Sequence, residues 1–290
     1  MSAHKWSMKE SLKMDDEQFI LWQALLEDRT GMQISAQRKS FLETSLAIRM
    51  REVGLQDYDA YYEKLMSGLT GEVEWATLVD RLTVQETSFF RHTSSFELVH
   101  DYCDTRLKEG ASSLDIWCVG CSTGEEPYSL GMMLNGLVEQ HQGKYWGITA
   151  TDISLPALSK ARKGIYSKRK LDLMSEEYKS RYFTTLPGSS LSESRKVQVS
   201  RELKDRICFA QVNVLELESA PMAGMDVIFC QNLLIYFRRW RKRDIVTHLA
   251  ERLAPGGLMV LGIGEVLDWS HPDMERVPYE NTLAFARRNG

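Results

Sequence analysis

The sequence lacks the features of a secreted, membrane-spanning or disulfide-stabilised protein. No stretch of its 290 residues approaches the roughly 18 apolar residues of a membrane span, and Met1 to Lys13 has no apolar core like that of a signal peptide. The five cysteines are spread thinly, and no second Cys or His pair follows Cys118 and Cys121 at the spacing of a zinc site. We therefore expect reduced thiols, no metal ion, no membrane insertion and a place in the cytoplasm.

The sequence also lacks an excess of positive charge, because the formal net charge is -4 at pH 7. Domains that bind nucleic acid usually carry a strongly basic face, so we expect no nucleic-acid partner. Two local basic runs, Arg238 to Arg243 and Lys160 to Lys170, leave RNA methylation open as an alternative.

The overall composition is that of an ordinary folded protein, with 43% apolar and 26% charged residues. Within residues 15–82, Phe19, Trp22 and Leu26 follow one another at three- and four-residue spacing, and glycines separate such patterns. This predicts three or four short helices. We assign 1–14 to an N-terminal tail, 15–82 to a helical N-terminal domain and 83–110 to a linker segment.

Strand and helix patterns alternate over residues 111–290. The apolar run Leu114 to Val119 leads through a glycine loop into a helix at Glu125 to Gln140. Further strands are predicted at Lys144–Thr151, Arg206–Val212, Met225–Cys230, Leu258–Gly262 and Thr282–Arg287, with a turn at Ala254–Gly257 before the fifth strand. The alternation predicts an α/β fold with a Rossmann-like, doubly wound sheet. The polar interval 166–203 interrupts it and is interpreted as an inserted β-subdomain, a small hairpin.

The loop after the first predicted strand carries carboxylates where a dinucleotide-binding loop has none. Gly120 to Gly124 does not fit the G-x-G-x-x-G fingerprint, and Glu125 and Glu126 follow it directly. Two carboxylates would repel a diphosphate, whereas they suit the ammonium and sulfonium groups of S-adenosylmethionine. The alternative is that both glutamates only complement the helix dipole.

Other polar residues follow the later strands. Asp152 is suited to accept hydrogen bonds from ribose hydroxyls or to cap the next helix. Asn213 and Val214 are suited to an adenine edge or to a turn. Asn232 and Tyr236 would share one face above the strand ends if their turn is helical, although Tyr236 also fits a core position.

The segment Thr83 to His92, ahead of the predicted sheet, is compact, polar and aromatic. Phe89 and Phe90 suit packing, whereas Arg91 beside them is an unusual core residue and is otherwise explained by a surface ion pair.

Together these residues closely resemble the CheR-type chemotaxis receptor glutamate O-methyltransferases over roughly Asp15 to Arg287. The resemblance is carried by Glu86-Thr-Ser-Phe-Phe-Arg91, by GCSTGEEPYS at 120–129, by Thr149-Ala-Thr-Asp152 with Asn213, and by QNLLIYF at 231–237. The second and last segments are far more specific than a lone glycine motif. A Rossmann-like class I methyltransferase domain is the fold that the resemblance implies.

The resemblance also implies a function and its residues. S-adenosylmethionine would be the methyl donor, with S-adenosylhomocysteine as product, and the acceptors would be glutamates on the cytoplasmic helical bundle of methyl-accepting chemotaxis receptors. The enzyme would be a monomer, recruited from the cytoplasm to receptor arrays at the inner membrane. Cofactor-binding positions fall on Gln85, Thr87, Arg91, Glu125, Asp152, Asn213, Val214, Gln231 and Asn232; Arg91 and Tyr236 would be catalytic; the helix 36–53 would face receptors through Arg38, Lys39, Arg49 and Arg51. The insertion would dock onto receptors.

Several positions depart from the family pattern. Gln85 stands where Asn is expected, Gln231 where Arg is usual, and Ser45 and Ile48 at helix positions that are often Arg. The segment Gly262-Ile-Gly-Glu265 replaces an ending that usually contains histidine and serine. Two other hypotheses stay open: a class I methyltransferase that acts on another protein or a small acid, and a non-catalytic sensor that binds S-adenosylmethionine.

Overall fold

The computed structural model describes residues 12–83, 86–187 and 196–289. The chain divides into two compact units between Val84 and Gln85. The first unit consists of helices, as predicted: α1 (Asp16–Thr30), α2 (Lys39–Glu52), α3 (Tyr58–Leu65) and α4 (Gly68–Leu82), with a 3₁₀ turn at Ala36–Arg38.

Local sequence signals explain where the first helix begins and ends. Asp15 and Gln18 form a capping box, in which the Gln18 backbone N–H donates to Asp15 Oδ1 at 2.8 Å. Gly31 ends α1 with a φ of 72°, a left-handed conformation that glycine adopts at little cost. The buried face of α1 includes Trp22, whose ring stacks on Tyr61 with centroids 5.8 Å apart.

The second unit carries the sheet. Its strands are β1 (Ser113–Val119), β2 (Tyr145–Asp152), β3 (Ile165–Ser167), β4 (Phe183–Thr185), β5 (Lys196–Val199), β6 (Ile207–Gln211), β7 (Met225–Cys230), β8 (Leu253–Leu261), β9 (Met274–Val277) and β10 (Leu283–Arg287). Its helices are α5 (Thr93–Lys108), α6 (Glu125–Gln140), α7 (Leu155–Lys163), α8 (Glu176–Tyr182), α9 (Arg201–Lys204) and α10 (Arg239–Glu251), with 3₁₀ helices at Lys168–Leu171, Leu217–Ser219 and Leu234–Tyr236.

The main sheet has seven strands in the order β6-β2-β1-β7-β8-β10-β9. Strands β6, β2, β1, β7 and β8 are parallel, and β10 runs antiparallel to both of its neighbours. Four consecutive residues of β1, Ile116 to Val119, are buried, as expected for a parallel strand covered on both faces. The ends of the five parallel strands form one edge, called the carboxyl edge below, where doubly wound sheets bind ligands. The predicted Rossmann-like fold is confirmed.

Three local expectations differ from the structure. The segment Ala254 to Gly257, predicted as a turn, lies within β8, where the pairing with β7 slips between Met225 and Val227, so turn-forming residues produce a bulge. The insertion forms a three-stranded antiparallel sheet, β3-β5-β4, instead of a hairpin. Most of the segment 83–110, interpreted as a linker, is α5, because Phe96, Val99 and Cys103 are buried in the core of the second unit.

In the described ranges, no helix combines the length and the apolar character needed to cross a membrane.

Candidate active site

The loop after β1 is hydrogen-bonded to the end of β2. The backbone N–H groups of Gly120 and Cys121 donate to the Thr151 carbonyl at 2.8 and 2.9 Å, and the Ser122 N–H donates to Asp152 Oδ2 at 2.8 Å. Asp152 therefore lies against the glycine loop at the end of β2. The alternative that Asp152 caps the next helix is not the case: Ser154 is the N-cap of α7 and accepts the Ala157 N–H at 3.1 Å.

Gly124 ends the loop at a position that tolerates no side chain. Its φ is 94°, and a Cβ there would stand 2.8 Å from the Ala161 Cβ. The close approach of the loop to α7 thus requires glycine.

Glu125 is fully buried at the start of α6, beside the inserted subdomain. Thr123 Oγ1 donates to Glu125 Oε2 at 2.6 Å, and the Lys170 ammonium forms an ion pair with the other carboxylate oxygen. Lys170 also donates to the Thr87 carbonyl at 3.2 Å. Sequence reasoning placed Lys170 only in a basic run, because the contact depends on how the subdomain folds back. Each carboxylate oxygen can accept more than one hydrogen bond, so these contacts do not use the full accepting capacity of Glu125.

Glu126 differs electrostatically from what the sequence suggested. The pKa of its carboxyl is raised to about 8, mainly by burial and also by the nearby Glu265. The Cys118 thiol, 3.0 Å from Glu126 Oε1, and the Arg91 guanidinium act in the opposite direction. A carboxyl with this pKa is mostly neutral at pH 7. The sequence predicted two charged carboxylates at this loop, and Glu126 does not meet that expectation. Its pKa is nevertheless influenced by Arg91 and Glu265, so both residues lie near it.

A buried carboxylate holds the turn that follows β7. Glu265 is 4% exposed; its Oε1 accepts the Ile235 N–H at 3.3 Å and its Oε2 accepts the Gly262 N–H at 3.0 Å. Burial raises the pKa of Glu265, and these backbone bonds, together with one from Asn232, oppose that rise. Sequence reasoning recorded Glu265 only as part of an unusual ending.

The turn itself departs from the helix considered in the sequence analysis. Asn232 has a φ of 59°, and only Leu234–Tyr236 forms a 3₁₀ helix. Asn is among the few residues that adopt left-handed backbone readily, so the turn can bend sharply at Asn232. Tyr236 is half-buried at the margin of the apolar cluster that contains Leu234.

The segment that carries Arg91 is joined to this turn. His92 Nε2 lies 3.1 Å from Asn232 Oδ1, a contact that sequence reasoning did not foresee. The Phe90 N–H donates to Ser129 Oγ at 3.0 Å. The Arg91 guanidinium is exposed and donates to the Glu86 carbonyl at 2.9 Å.

The expected adenine-binding turn lies beside Asp152, because the Val212 N–H donates to the Asp152 carbonyl at 3.2 Å. Asn213 Oδ1 accepts the Leu215 N–H at 3.1 Å, which fixes a local turn and leaves Val214 half-buried.

The remaining predicted cofactor-binding residues are Gln231 and Gln85. The Gln231 amide points inward and donates to Ser95 Oγ at 2.7 Å, while its Oε1 is buried without a hydrogen-bond partner among the described residues. A cofactor contact by Gln231 stays a prediction. Gln85 lies outside the described residues.

The predicted receptor-facing residues lie in the helical unit. Arg38 stacks on the Phe41 ring at 4.7 Å, Lys39 donates to Asp16 at 2.8 Å, and Arg51 is exposed. Arg49 instead makes two 2.6 Å hydrogen bonds to Glu74, a carboxylate that is 5% exposed and also accepts from Tyr61 at 2.7 Å. Arg49 is therefore part of the structural core of this unit.

The thiols near the loop have no reactive character. Burial raises the pKa of Cys118 and Cys121 well above the ordinary value, so both stay protonated.

The carboxyl edge thus brings together a tight glycine loop, Asp152 beside it and Glu125 at the first turn of α6. Hydrogen-bond acceptors at this edge are compatible with the hydroxyl and ammonium groups of S-adenosylmethionine. Fold and site together define a class I methyltransferase that uses S-adenosylmethionine.

Comparisons with known proteins identify the family. Residues 85–282 match the family described as CheR methyltransferase, SAM binding domain, and residues 17–83 match CheR methyltransferase, all-alpha domain. The chain belongs to the CheR methyltransferase family.

Three relatives illustrate its range. The chain is 31% identical to the chemotaxis protein methyltransferase of Escherichia coli K12, over 91% of this chain and 88% of the relative. It is 32% identical to chemotaxis protein methyltransferase 2 of Vibrio cholerae, over 86% and 85%. It is 30% identical to the "Probable biofilm formation methyltransferase WspC" of Pseudomonas aeruginosa, over 92% of this chain and 61% of the relative.

Proposed function

We propose that this enzyme methylates glutamate side chains on the cytoplasmic helical bundle of methyl-accepting chemotaxis receptors. The products are glutamyl methyl esters and S-adenosylhomocysteine. The observation that carries the proposal is the exposed Arg91 guanidinium, which stands on a segment joined to Asn232 at the carboxyl edge through His92. A guanidinium at this place suits a carboxylate acceptor. The relatives named chemotaxis protein methyltransferase support receptors as the source of that carboxylate.

The cofactor-binding residues follow the carboxyl edge. Asp152 binds the ribose, Asn213 and Val214 meet the adenine, and Glu125 receives the ammonium group. The set is completed by Thr87, Arg91 and Asn232, with Gln85 and Gln231 as the two positions where this chain departs from its family. Support comes from the contacts that gather Thr87, Glu125 and Asp152 around one loop.

S-adenosylmethionine supplies a methyl group bonded to a positively charged sulfur. The acceptor needs no general base, because a glutamate carboxyl has a pKa of about 4.3 and is already ionised at neutral pH. The work of the chain is alignment: Arg91 holds the carboxylate by a charge-assisted hydrogen bond, and the Tyr236 hydroxyl orients it toward the methyl group.

Receptor contact is assigned to two further parts of the chain. Arg38, Lys39 and Arg51 present positive charge on the helical unit, whereas Arg49 contributes mainly to its stability. The inserted sheet β3-β5-β4 provides a second docking element. The enzyme acts as a monomer that moves from the cytoplasm to receptor arrays. Esterification removes a negative charge from a receptor helix and so shifts the conformational equilibrium of the bundle.

The test uses labelled S-adenosylmethionine with membranes that contain a chemotaxis receptor. Label that mild alkali releases as volatile methanol is the expected result, because esters are alkali-labile. Alkali-stable label would redirect the proposal to a different acceptor group. Cofactor binding without any transfer would favour the sensor hypothesis.

A second acceptor class, another protein or a small acid, is suggested by Ser45 and Ile48, which stand at positions of the receptor-facing helix that are often Arg in relatives. The same labelling with soluble extracts in place of receptor membranes distinguishes it, since label would then appear on another protein or a small acid.

A further inference from the structure

The chain leaves an unusual number of large apolar side chains exposed beside the active-site turn. Leu267 is 84% exposed and Ile263 64%, both in the loop that follows β8. Ile235 and Trp240, on the turn after β7 and at the start of α10, are 54% and 51% exposed. We call these four residues the apolar rim. Exposed apolar residues that cluster in this way usually mark a binding surface.

Hydrogen bonds and an ion pair show that the members of the apolar rim are neighbours. The two oxygens of Glu265 accept from the N–H groups of Ile235 and Gly262. Because Ile263 follows Gly262, the backbone segments that contain Ile235 and Ile263 both contact the same carboxylate. Arg239, next to Trp240, pairs with Asp268, next to Leu267. The apolar rim therefore lies on segments that adjoin the turn that contains Tyr236.

A groove continues from the apolar rim toward β9 and β10. Its volume is about 600 Å³, and its lining includes Ile263, Leu267, Trp269 and Met274, with Arg276 as a cationic member. These residues belong to the second unit, and nothing in the cofactor assignment uses them. The groove extends beyond the carboxyl edge on the side away from the glycine loop, since β8, β10 and β9 lie at that end of the strand order.

The residues on both sides of Trp240 in the apolar rim are rich in positive charge, although the net charge of the chain is -4. Arg238, Arg239, Arg241, Lys242 and Arg243 follow one another around Trp240. The Arg241 guanidinium stacks on the Trp240 ring at 4.2 Å, so charge and apolar surface are joined in one place. The complementary partner carries acidic residues next to an apolar stripe.

We propose that the apolar rim and its groove bind the acceptor segment itself, as an amphipathic α-helix whose apolar stripe lies on the rim and whose acidic residues face the basic start of α10. A helix laid in a groove presents side chains at i, i+3, i+4 and i+7 to it, so a glutamate at the margin of the stripe would reach Tyr236. This inference rests on the proposed function and adds to it the surface of the catalytic unit that selects the acceptor.

The test changes the apolar rim without touching the residues assigned to chemistry. We expect Leu267→Glu, alone and combined with Ile263→Glu, to lower kcat/KM for receptor membranes by tenfold or more through a higher KM. The Kd for S-adenosylmethionine should stay within twofold. The matched control is Tyr145→Glu, a side chain of similar exposure at the amino end of β2 and thus opposite the carboxyl edge, which should leave all three constants unchanged.

The outcomes distinguish a failure of the proposed docking surface from a failure of the proposed function. Receptor methylation by the wild type with unchanged KM in both variants would overturn the docking surface alone. No methylation of receptors by the wild type would overturn the proposed function, and the docking surface with it. If mixed RNA competes with receptor methylation by the wild type but not by the Leu267→Glu variant, the surface belongs to nucleic acid and the helix assignment is wrong.

Discussion

Arg91 combines exposure with a fixed position, which suits a residue that must hold a carboxylate and then release its ester. Its guanidinium donates to the Glu86 carbonyl and lies close enough to Glu126 to lower that carboxyl's pKa. We expect Arg91→Ala to lower kcat at least about tenfold, equivalent to about 1.4 kcal/mol of activation free energy, with a smaller change in the Kd for S-adenosylmethionine.

The control for this prediction is Arg91→Lys, which keeps the charge but loses the planar fork and should fall between wild type and alanine. An unchanged kcat in Arg91→Ala would remove this side chain from the mechanism.

Glu126 predicts a specific dependence of stability on pH. Its pKa rises from 4.5 to about 8 in the folded protein, so the folded state binds the proton more tightly than the unfolded state does. The free energy of unfolding of the wild type should therefore fall as the pH rises from about 4.5 to about 8. Glu126→Gln lacks this loss. Between pH 5 and pH 9, its free energy of unfolding should therefore increase relative to that of the wild type by about 1 kcal/mol or more.

Urea unfolding at a series of pH values measures the effect of Glu126. The exposed Glu177→Gln serves as the control and should follow the wild type. Parallel pH profiles for the wild type and Glu126→Gln would show that the folded state does not favour the protonated carboxyl.

At the scale of elements, the turn after β7 depends on a residue that is distant in sequence. Glu265 accepts backbone N–H groups from Ile235 and Gly262 and thus fixes the turn that carries Asn232 and Tyr236. Glu265→Gln places an N–H₂ group against one of these donors, so we expect a stability loss of about 1–3 kcal/mol and a decrease in kcat of about tenfold. Turnover at saturating S-adenosylmethionine, below the melting temperature of the variant, measures it.

A control separates the position of the turn from general stability. Asn135→Leu removes a buried amide on α6, away from this turn and from the assigned site, and should lower the melting temperature with less effect on kcat. Equal losses of kcat in both variants would argue that Glu265 acts only through stability.

Elements also show where sequence reasoning succeeds. The parallel strands were predictable because both faces are buried and each strand reads as an apolar run, as in Ile116 to Val119. The bulge in β8 and the left-handed Asn232 were not, because each depends on pairing with a strand or loop distant in sequence. Asp152 and Glu125 were predicted as site residues from their places after strands, and the structure places both beside the glycine loop. Lys170 and His92 were missed, because their partners are set by the fold of the insertion and of the Arg91 segment.

At the scale of the whole molecule, each unit has its own core, so damage to one should leave the other folded. Arg49→Met removes the partner of the buried Glu74 carboxylate, and an unpaired buried charge costs about 3–5 kcal/mol. Although burial alone would raise the pKa of Glu74, hydrogen bonds from Arg49 and Tyr61 hold it below its ordinary value. The stability from this ionised carboxylate is present above its unfolded-state pKa and is lost as the pH falls through the folded-state value.

We expect Arg49→Met to lower the thermal transition of the helical unit while the Kd for S-adenosylmethionine is unchanged. Arg51→Met, at an exposed neighbouring position, is the matched control and should alter only receptor binding. If both variants melt like the wild type, the Arg49–Glu74 pair is not structural.

The ion pair between Lys170 and Glu125 joins the insertion to the start of α6. Lys170 belongs to the insertion, which interrupts the regular alternation of strands and helices, whereas the Glu125 carboxylate has no exposed surface. Separating them would strand a charge in the protein interior, so the two regions are thermodynamically linked. On the proposed roles of Glu125 and the inserted sheet, a partner bound to that sheet and the methyl donor would each change the affinity for the other, and a docking element would also be an allosteric one.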